Sequence, residues 1–569
     1  MVQVRGLEVS NMSAPQARTD SHPPSSVPHH RLFSALLVPF ALFAQPQFLT
    51  FPSTIDGTQQ PYAIYLPDNF NPAQRYALLV SLHTEDSNHR LNLRQVLGPP
   101  NRLGRPEHSD ARFILAFPYA RGSLGYQGIA EQDVYDMIAD VERRYSIDAD
   151  RVYLTGASMG GGGALWLALT RPDRWAAVAP LCPAIVPGSE ELAANLGNLP
   201  VRFYHGEQDT IVPAEASRAW QRRLLDIGVP VSYVEYPSLR HNAWDLAYKP
   251  GALFDWLAGF RRNRYPGRVR FVSRSYRYSA AYWVRIDGLT PGTPAEIDAQ
   301  RKEANVTVET KNVDGFTLTL EQVAQAGPGG APPAKRSTQP PLSITIDGAA
   351  LRVRPSASLS FVKTAGVWRP GHYQPTEKKP GLEGPVFEAV AGRPIYVYGT
   401  LGTRTAAELD ERRKLAEAAA NWSSTRARVD FAPPVRADSE LTDAELANSD
   451  LVLLGTAATN SVLARVAGSF PLALDPGAAD YGLLFVAPLG KHYALVSSGL
   501  PWWTGADDAN RGVYGFAAQP LALLRTFGDY ILFRGSLAHV VAEGRFDRDW
   551  KVPAEAAARM SATGTVAIR

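Results

Sequence analysis

Cysteine occurs once in the chain, as Cys182. No disulfide can close within the molecule and no zinc site built on several thiolates can form. Cys182 reads as a small core residue, the alternative being a reactive thiol. Long apolar runs are also missing. The run Leu32–Ala44 falls short of the roughly 20 residues that a membrane-spanning helix needs, and no other segment approaches that length. Charge of one sign is nowhere concentrated: 58 basic and 55 acidic residues leave a net charge of +3, with no run of Lys or Arg to hold nucleic acid. A complete Gly-x-Gly-x-x-Gly is absent too. The turns Tyr398-Gly399-Thr400 and Leu454-Gly455-Thr456 offer only fragments of it, so no dinucleotide is expected. We expect no cofactor and no metal.

What remains is ordinary globular material, 45% apolar and 20% charged. Its 569 residues are enough for about three or four domains. Residues 1–31 are polar, and Arg31 precedes the apolar run Leu32–Ala44, whose length suits the core of a signal peptide. This predicts an exported protein. From 45 to 266, short β-rich runs such as Tyr76–Leu82, Phe113–Phe117 and Val152–Thr155 alternate with stretches of helical periodicity such as Gln132–Tyr145 and Ala214–Ile227. That alternation predicts an α/β domain with a mainly parallel sheet. Between 267 and 375, strand-like runs around Tyr282–Ile286, Val306–Thr310 and Leu342–Ile346 predict a small β-sandwich-like domain. It is broken by a Gly- and Pro-rich loop at Ala326–Pro341 and shows aromatics at Tyr276, Tyr278, Tyr282 and Trp283 that read as exposed. They could form a sugar-binding platform or a packing surface, and we favour packing. A second, smaller α/β domain is expected over 376–569.

The strongest motif is Val152-Tyr-Leu-Thr-Gly156-Ala-Ser158-Met-Gly160, followed by three more glycines. A Gly-x-Ser-x-Gly between a strand and a helix forces the serine into a tight, strained turn with its hydroxyl above the sheet. Serine needs a base to take its proton and a carboxylate to orient that base. The next strands deliver Asp209 and then His241, in the chain order Ser, acid, His. Glu207 is the rival acid, and His205 reads as loop support. The N–H of Met159, at the start of the helix, would face a developing oxyanion. Thr84, after the strand Leu78–Leu82, would supply the second donor.

These segments, with Tyr145-Ser-Ile-Asp-Ala-Asp-Arg-Val and His241-Asn-Ala-Trp-Asp, resemble the esterase branch of the α/β-hydrolases. That branch includes carbohydrate esterase family 1 (feruloyl and acetylxylan esterases), esterase D and polyhydroxybutyrate depolymerase relatives. They also resemble the bacterial predicted-peptidase group related to prolyl oligopeptidase. The resemblance covers about 47–265 and implies serine hydrolysis through an acyl-enzyme without a metal. Thr84, where a glycine is common, and Arg240 before the histidine depart from the pattern and bear on substrate fit. The expected function is hydrolysis of carboxylic esters, with feruloyl or acetyl groups on plant polysaccharide as candidate substrates. The alternatives are a prolyl oligopeptidase-like peptidase and an inactive scaffold or glycan-binding module. The expected partner is a small or polysaccharide-linked ester, not nucleic acid or a membrane.

Overall fold

The computed structural model describes residues 46–68, 70–100, 106–108, 110–320, 342–423, 428–507, 509 and 520–569. The leader with its apolar run Leu32–Ala44 and the loop Ala326–Pro341 lie outside the described residues. No helix among the described residues is long and apolar enough to cross a membrane.

An eight-stranded sheet organises the first part. Its strands are β1 (Gln47–Pro52), β2 (Gln59–Tyr65), β3 (Tyr76–Leu82), β4 (Phe113–Pro118), β5 (Ile147–Ala157), β6 (Ala177–Leu181), β7 (Val201–Gly206) and β8 (Val231–Tyr236). They run in the order β1-β2-β4-β3-β5-β6-β7-β8. β1 and β2 are antiparallel to their neighbours, and all pairs from β4 to β8 are parallel. Every residue of β3 and β4 is buried, as expected of parallel strands covered on both faces. Alternate residues feed different cores: Leu78 and Val80 pack on one face, Ala77 and Leu79 on the other.

The helices are α1 (His89–Leu97), α2 (Ile129–Arg144), α3 (Met159–Thr170), α4 (Glu215–Asp226), α5 (Trp244–Ala247) and α6 (Leu253–Ala258). In α4 the buried residues Ser217, Trp220 and Leu224 recur at steps of three and four, which set one stripe of the helix against the sheet. α1 opens on Asn88, whose side chain accepts from the N–H groups of Arg90 and Leu91.

Residues 268–370 form two five-stranded sheets that share a core including Phe271, Ile286, Ile297, Val308, Phe316 and Trp368. The aromatics expected to be exposed are turned inward. Tyr276 and Trp283 are 7% and 2% exposed. The Tyr278 hydroxyl donates to Glu131 of α2 at 2.6 Å, and the Tyr282 N–H donates to Asp173 at 3.1 Å. They serve as packing, because aromatic rings on a small sheet gain more by covering the neighbouring unit than by facing water.

A seven-stranded sheet follows, in the order Val435–Ala437, Ile395–Tyr398, Leu451–Leu454, His492–Gly499, Tyr481–Leu489, Tyr530–Arg534 and Ser536–Gly544. Its first four strands are parallel and its last three antiparallel. Phe43–Arg569 form one compact unit. A single apolar core runs from Leu124, Tyr126 and Val134 through Val386 into Leu451 and Leu484 of the last sheet.

Candidate active site

Ser158 stands between the end of β5 and the start of α3 with φ 56° and ψ −118°. This is the strained turn that the motif predicts. The glycines around it are there because backbone fills the space. A Cβ at Gly156 would lie 2.4 Å from the Gly160 carbonyl oxygen, and one at Gly160 would lie 2.2 Å from the Leu82 oxygen. At Gly162 it would lie 1.8 Å from the Ala184 oxygen. Gly162→Ala is therefore expected to lower stability by about 3 kcal/mol, since backbone cannot yield as a flexible side chain would. A thermal unfolding midpoint unchanged from the parent would show that α3 has room to move.

Asp209 follows β7 and is buried. Its Oδ1 accepts the N–H groups of Ile211 and Val212, each at 2.9 Å. Its Oδ2 lies 2.7 Å from His241 Nδ1 and 3.2 Å from His205 Nε2. Burial alone would raise this carboxyl. Hydrogen bonds from His205, His241 and the Val212 N–H outweigh it and hold the group well below the usual carboxylate range. Since Nδ1 of His241 donates to Asp209, its Nε2 is left as the proton acceptor. The edge of Trp244 meets this ring at 5.5 Å and 82°. Glu207, the rival acid, is exposed on the same turn.

His205 supports the acid loop. Its Nε2 faces the Val212 carbonyl at 2.9 Å and its Nδ1 faces Ser217 Oγ at 2.8 Å. A carbonyl only accepts, so Nε2 carries the hydrogen and Nδ1 accepts from the hydroxyl.

Ser158 Oγ makes no hydrogen bond among the described residues. Serine and histidine are joined instead through the end of β6. The Ser158 N–H donates to the Leu181 oxygen at 2.9 Å, and Cys182 Sγ donates to the His241 carbonyl at 3.1 Å. Burial, then the charge of Asp209, push the Cys182 thiol up. It stays protonated at neutral pH and acts as a donor in the wall of the site. Ligand atoms of Cys182, Asp209 and His241 lie within 4.8 Å of one another, but a protonated thiol is no metal ligand, and the other two groups already satisfy each other. No sequence spacing pointed to this role of Cys182.

The Met159 and Thr84 N–H groups, the two expected oxyanion donors, have no partner among the described residues. The Thr84 corner abuts the serine turn, for the site of a Cβ on Gly160 lies 2.7 Å from the His83 oxygen. His83 itself is buried, with Nδ1 2.7 Å from the Thr84 oxygen and Nε2 2.8 Å from the Tyr119 oxygen. Burial lowers its pKa below the ordinary value.

Residues 53–224 match a family model described as "Putative esterase". Feruloyl esterase D of Neurospora crassa is 27% identical over 190 residues, which cover 31% of this chain and 62% of that relative. The chain thus spans less than two thirds of that relative's length. A protein named "Probable feruloyl esterase C" from Aspergillus oryzae is 26% identical over 198 residues, covering 33% of this chain and 71% of the relative. A solved thermostable esterase is 24% identical, with a TM-score of 0.33 over 38% of this chain and 63% of that one. Residues 53–224, which hold the serine turn and Asp209 but stop short of His241, are thus similar to the esterase family, and the described chain is mixed α/β.

Proposed function

We propose that the chain is a serine carboxylic ester hydrolase in which Ser158, His241 and Asp209 form the catalytic triad. The observation that carries this reading is the 2.7 Å Asp209–His241 bond, at the same sheet edge as a serine held at φ 56°. Ser158 Oγ attacks the ester carbonyl carbon while His241 Nε2 takes its proton. The oxyanion is met by the N–H groups of Met159 and Thr84. His241 then protonates the departing alcohol, leaving an acyl-enzyme. A water molecule, deprotonated by the same nitrogen, releases the acid and restores the serine. Asp209 stays ionised throughout and stabilises the imidazolium that forms twice per cycle.

The match to relatives named feruloyl esterases supports a feruloyl ester as substrate, and acetyl groups on plant polysaccharide are the second candidate. We read residues 45–266 as the catalytic domain, 267–375 as a β-sandwich-like domain and 376–569 as a C-terminal α/β domain. The run Leu32–Ala44 supports export.

The test compares kcat/KM for methyl ferulate, an acetyl ester and a prolyl-amide peptide, alongside labelling of Ser158 by a fluorophosphonate. Ester turnover far above amide turnover, with Ser158 labelled, is expected. A preference for the amide would make the protein a peptidase. A folded protein with neither turnover nor labelling would be a scaffold.

A further inference from the structure

The loop between β4 and α2 is wound through three successive residues of positive φ: Ala120 at 46°, Arg121 at 63° and Gly122 at 78°. Two of these are not glycine, so the conformation is costly and has to be held from outside. Part of the hold comes from within the domain, where the buried Arg121 guanidinium bonds to Asp56 and Asp133. The rest comes from the far end of the chain. Gly122 forms an antiparallel bridge with Val429. The Ser123 N–H donates to the Arg428 oxygen at 2.9 Å, and the Asp430 N–H donates to the Arg121 oxygen at 3.0 Å. Arg525 Nη2 donates to the Leu124 oxygen at 2.5 Å.

The held loop in turn touches the oxyanion corner at three points. Ser123 Oγ accepts the Asp86 N–H at 3.1 Å. The Tyr119 carbonyl contacts His83 Nε2 at 2.8 Å, and the Tyr126 hydroxyl donates to the His83 carbonyl at 3.1 Å. Tyr126 also lies against the serine helix, where a Cβ at Gly163 would come within 2.3 Å of its ring. The residues on either side of Thr84 are therefore fixed by a loop that is itself fixed by residues 428–430 and 525.

We propose that the C-terminal unit is a clamp on the oxyanion corner, with Ser123 and Arg525 as positioning residues that set the Thr84 N–H for catalysis. This inference rests on the ester hydrolase reading above. Neither residue is placed in contact with substrate, so their effect is on where a donor stands and not on what binds. An oxyanion donor acts on the transition state more than on the bound ester, so displacing it lowers kcat and leaves KM in place.

The experiment uses the full chain and its Ser123→Ala, Ser123→Thr and Arg525→Gln variants, with methyl ferulate or whichever ester the parent cleaves. Ser123→Ala and Arg525→Gln are expected to lower kcat about tenfold to a hundredfold with KM changed less than about twofold. Ser123→Thr keeps the hydroxyl and is expected to return most of the rate. All should retain fluorophosphonate labelling of Ser158, more slowly in the two defective variants. Unchanged kcat in Ser123→Ala and Arg525→Gln overturns the clamp while leaving the hydrolase intact. A Ser123→Thr variant as slow as Ser123→Ala overturns the role of the hydroxyl. If Arg525→Gln fails to fold, the Ser123 pair decides alone. A parent that neither turns over esters nor labels overturns the hydrolase reading itself, and the clamp with it.

Discussion

Ser158→Ala is expected to reduce kcat for ester hydrolysis by roughly a millionfold while the protein remains folded. The loss is this large because the three side chains act as one device: without the nucleophile, the base and its orienting acid have nothing to activate. What survives is the stabilisation given by the Met159 and Thr84 N–H groups and by substrate binding, worth about 10³–10⁴ over water in a comparable enzyme. The side chain makes no hydrogen bond among the described residues, and the turn is held by the backbone contacts to Leu181 and Ala184. Thermal unfolding should therefore be almost unmoved. Turnover of the purified variant on an acetyl ester, with circular dichroism beside it, checks both halves. Residual activity above about one percent would place the nucleophile elsewhere.

Asp209→Asn should cost about 10⁴ in kcat, since an amide cannot hold imidazole in the tautomer that leaves Nε2 free. It also removes the charge that stabilises the imidazolium. The same substitution has a consequence for acid stability. The folded-state carboxyl lies below the usual range, because the bonds from His205 and His241 outweigh the effect of burial. A depressed carboxyl contributes stability that is fully present above its unfolded value of about 3.9. That stability is lost as the pH falls through the folded value. The parent should lose denaturant resistance steeply below about pH 4, and Asp209→Asn should lack that part of the slope. Parallel slopes in the two proteins would mean that Asp209 carries no special charge interaction.

The parts of the site that could be read from the chain are those set by neighbours in sequence. The serine turn is one, because strand, small residues and helix are contiguous from Val152 to Thr170. Asp209 and His241 are legible as polar residues just past successive strands of one parallel sheet, where side chains gather at a common edge. Glu207, two positions earlier, could not be dismissed by pattern alone, and its exposure is a matter of which way a tight turn faces. The contact between Cys182 and the His241 carbonyl has no such signature. It depends on the ends of two strands meeting in space, and one thiol on a buried run looks like any core residue.

Elements with weak periodicity were also hidden. β1 buries only Phe51 completely, and the 3₁₀ stretch Ser189–Asn198 follows neither the helical nor the strand period. The aromatics from Tyr276 to Trp283 looked exposed because the surfaces that cover some of them, such as Glu131 and Asp173, lie more than a hundred residues earlier. The whole connection of residues 121–124 with residues 428–430 and Arg525 belongs to this class. Nothing in either segment announces the other.

That connection also orders events in time. Leu124 and Arg525 are 401 positions apart in the chain, and a growing chain folds its N-terminal portion first. Ser158, Asp209 and His241 leave the ribosome with much of their sheet long before Arg428 and Arg525 are made. Closing so long a loop is entropically slow relative to local folding. The nascent catalytic half would thus exist for a while with its β4–α2 loop unlatched. The candidate site, encoded early, waits on residues encoded late for the contacts that hold this loop.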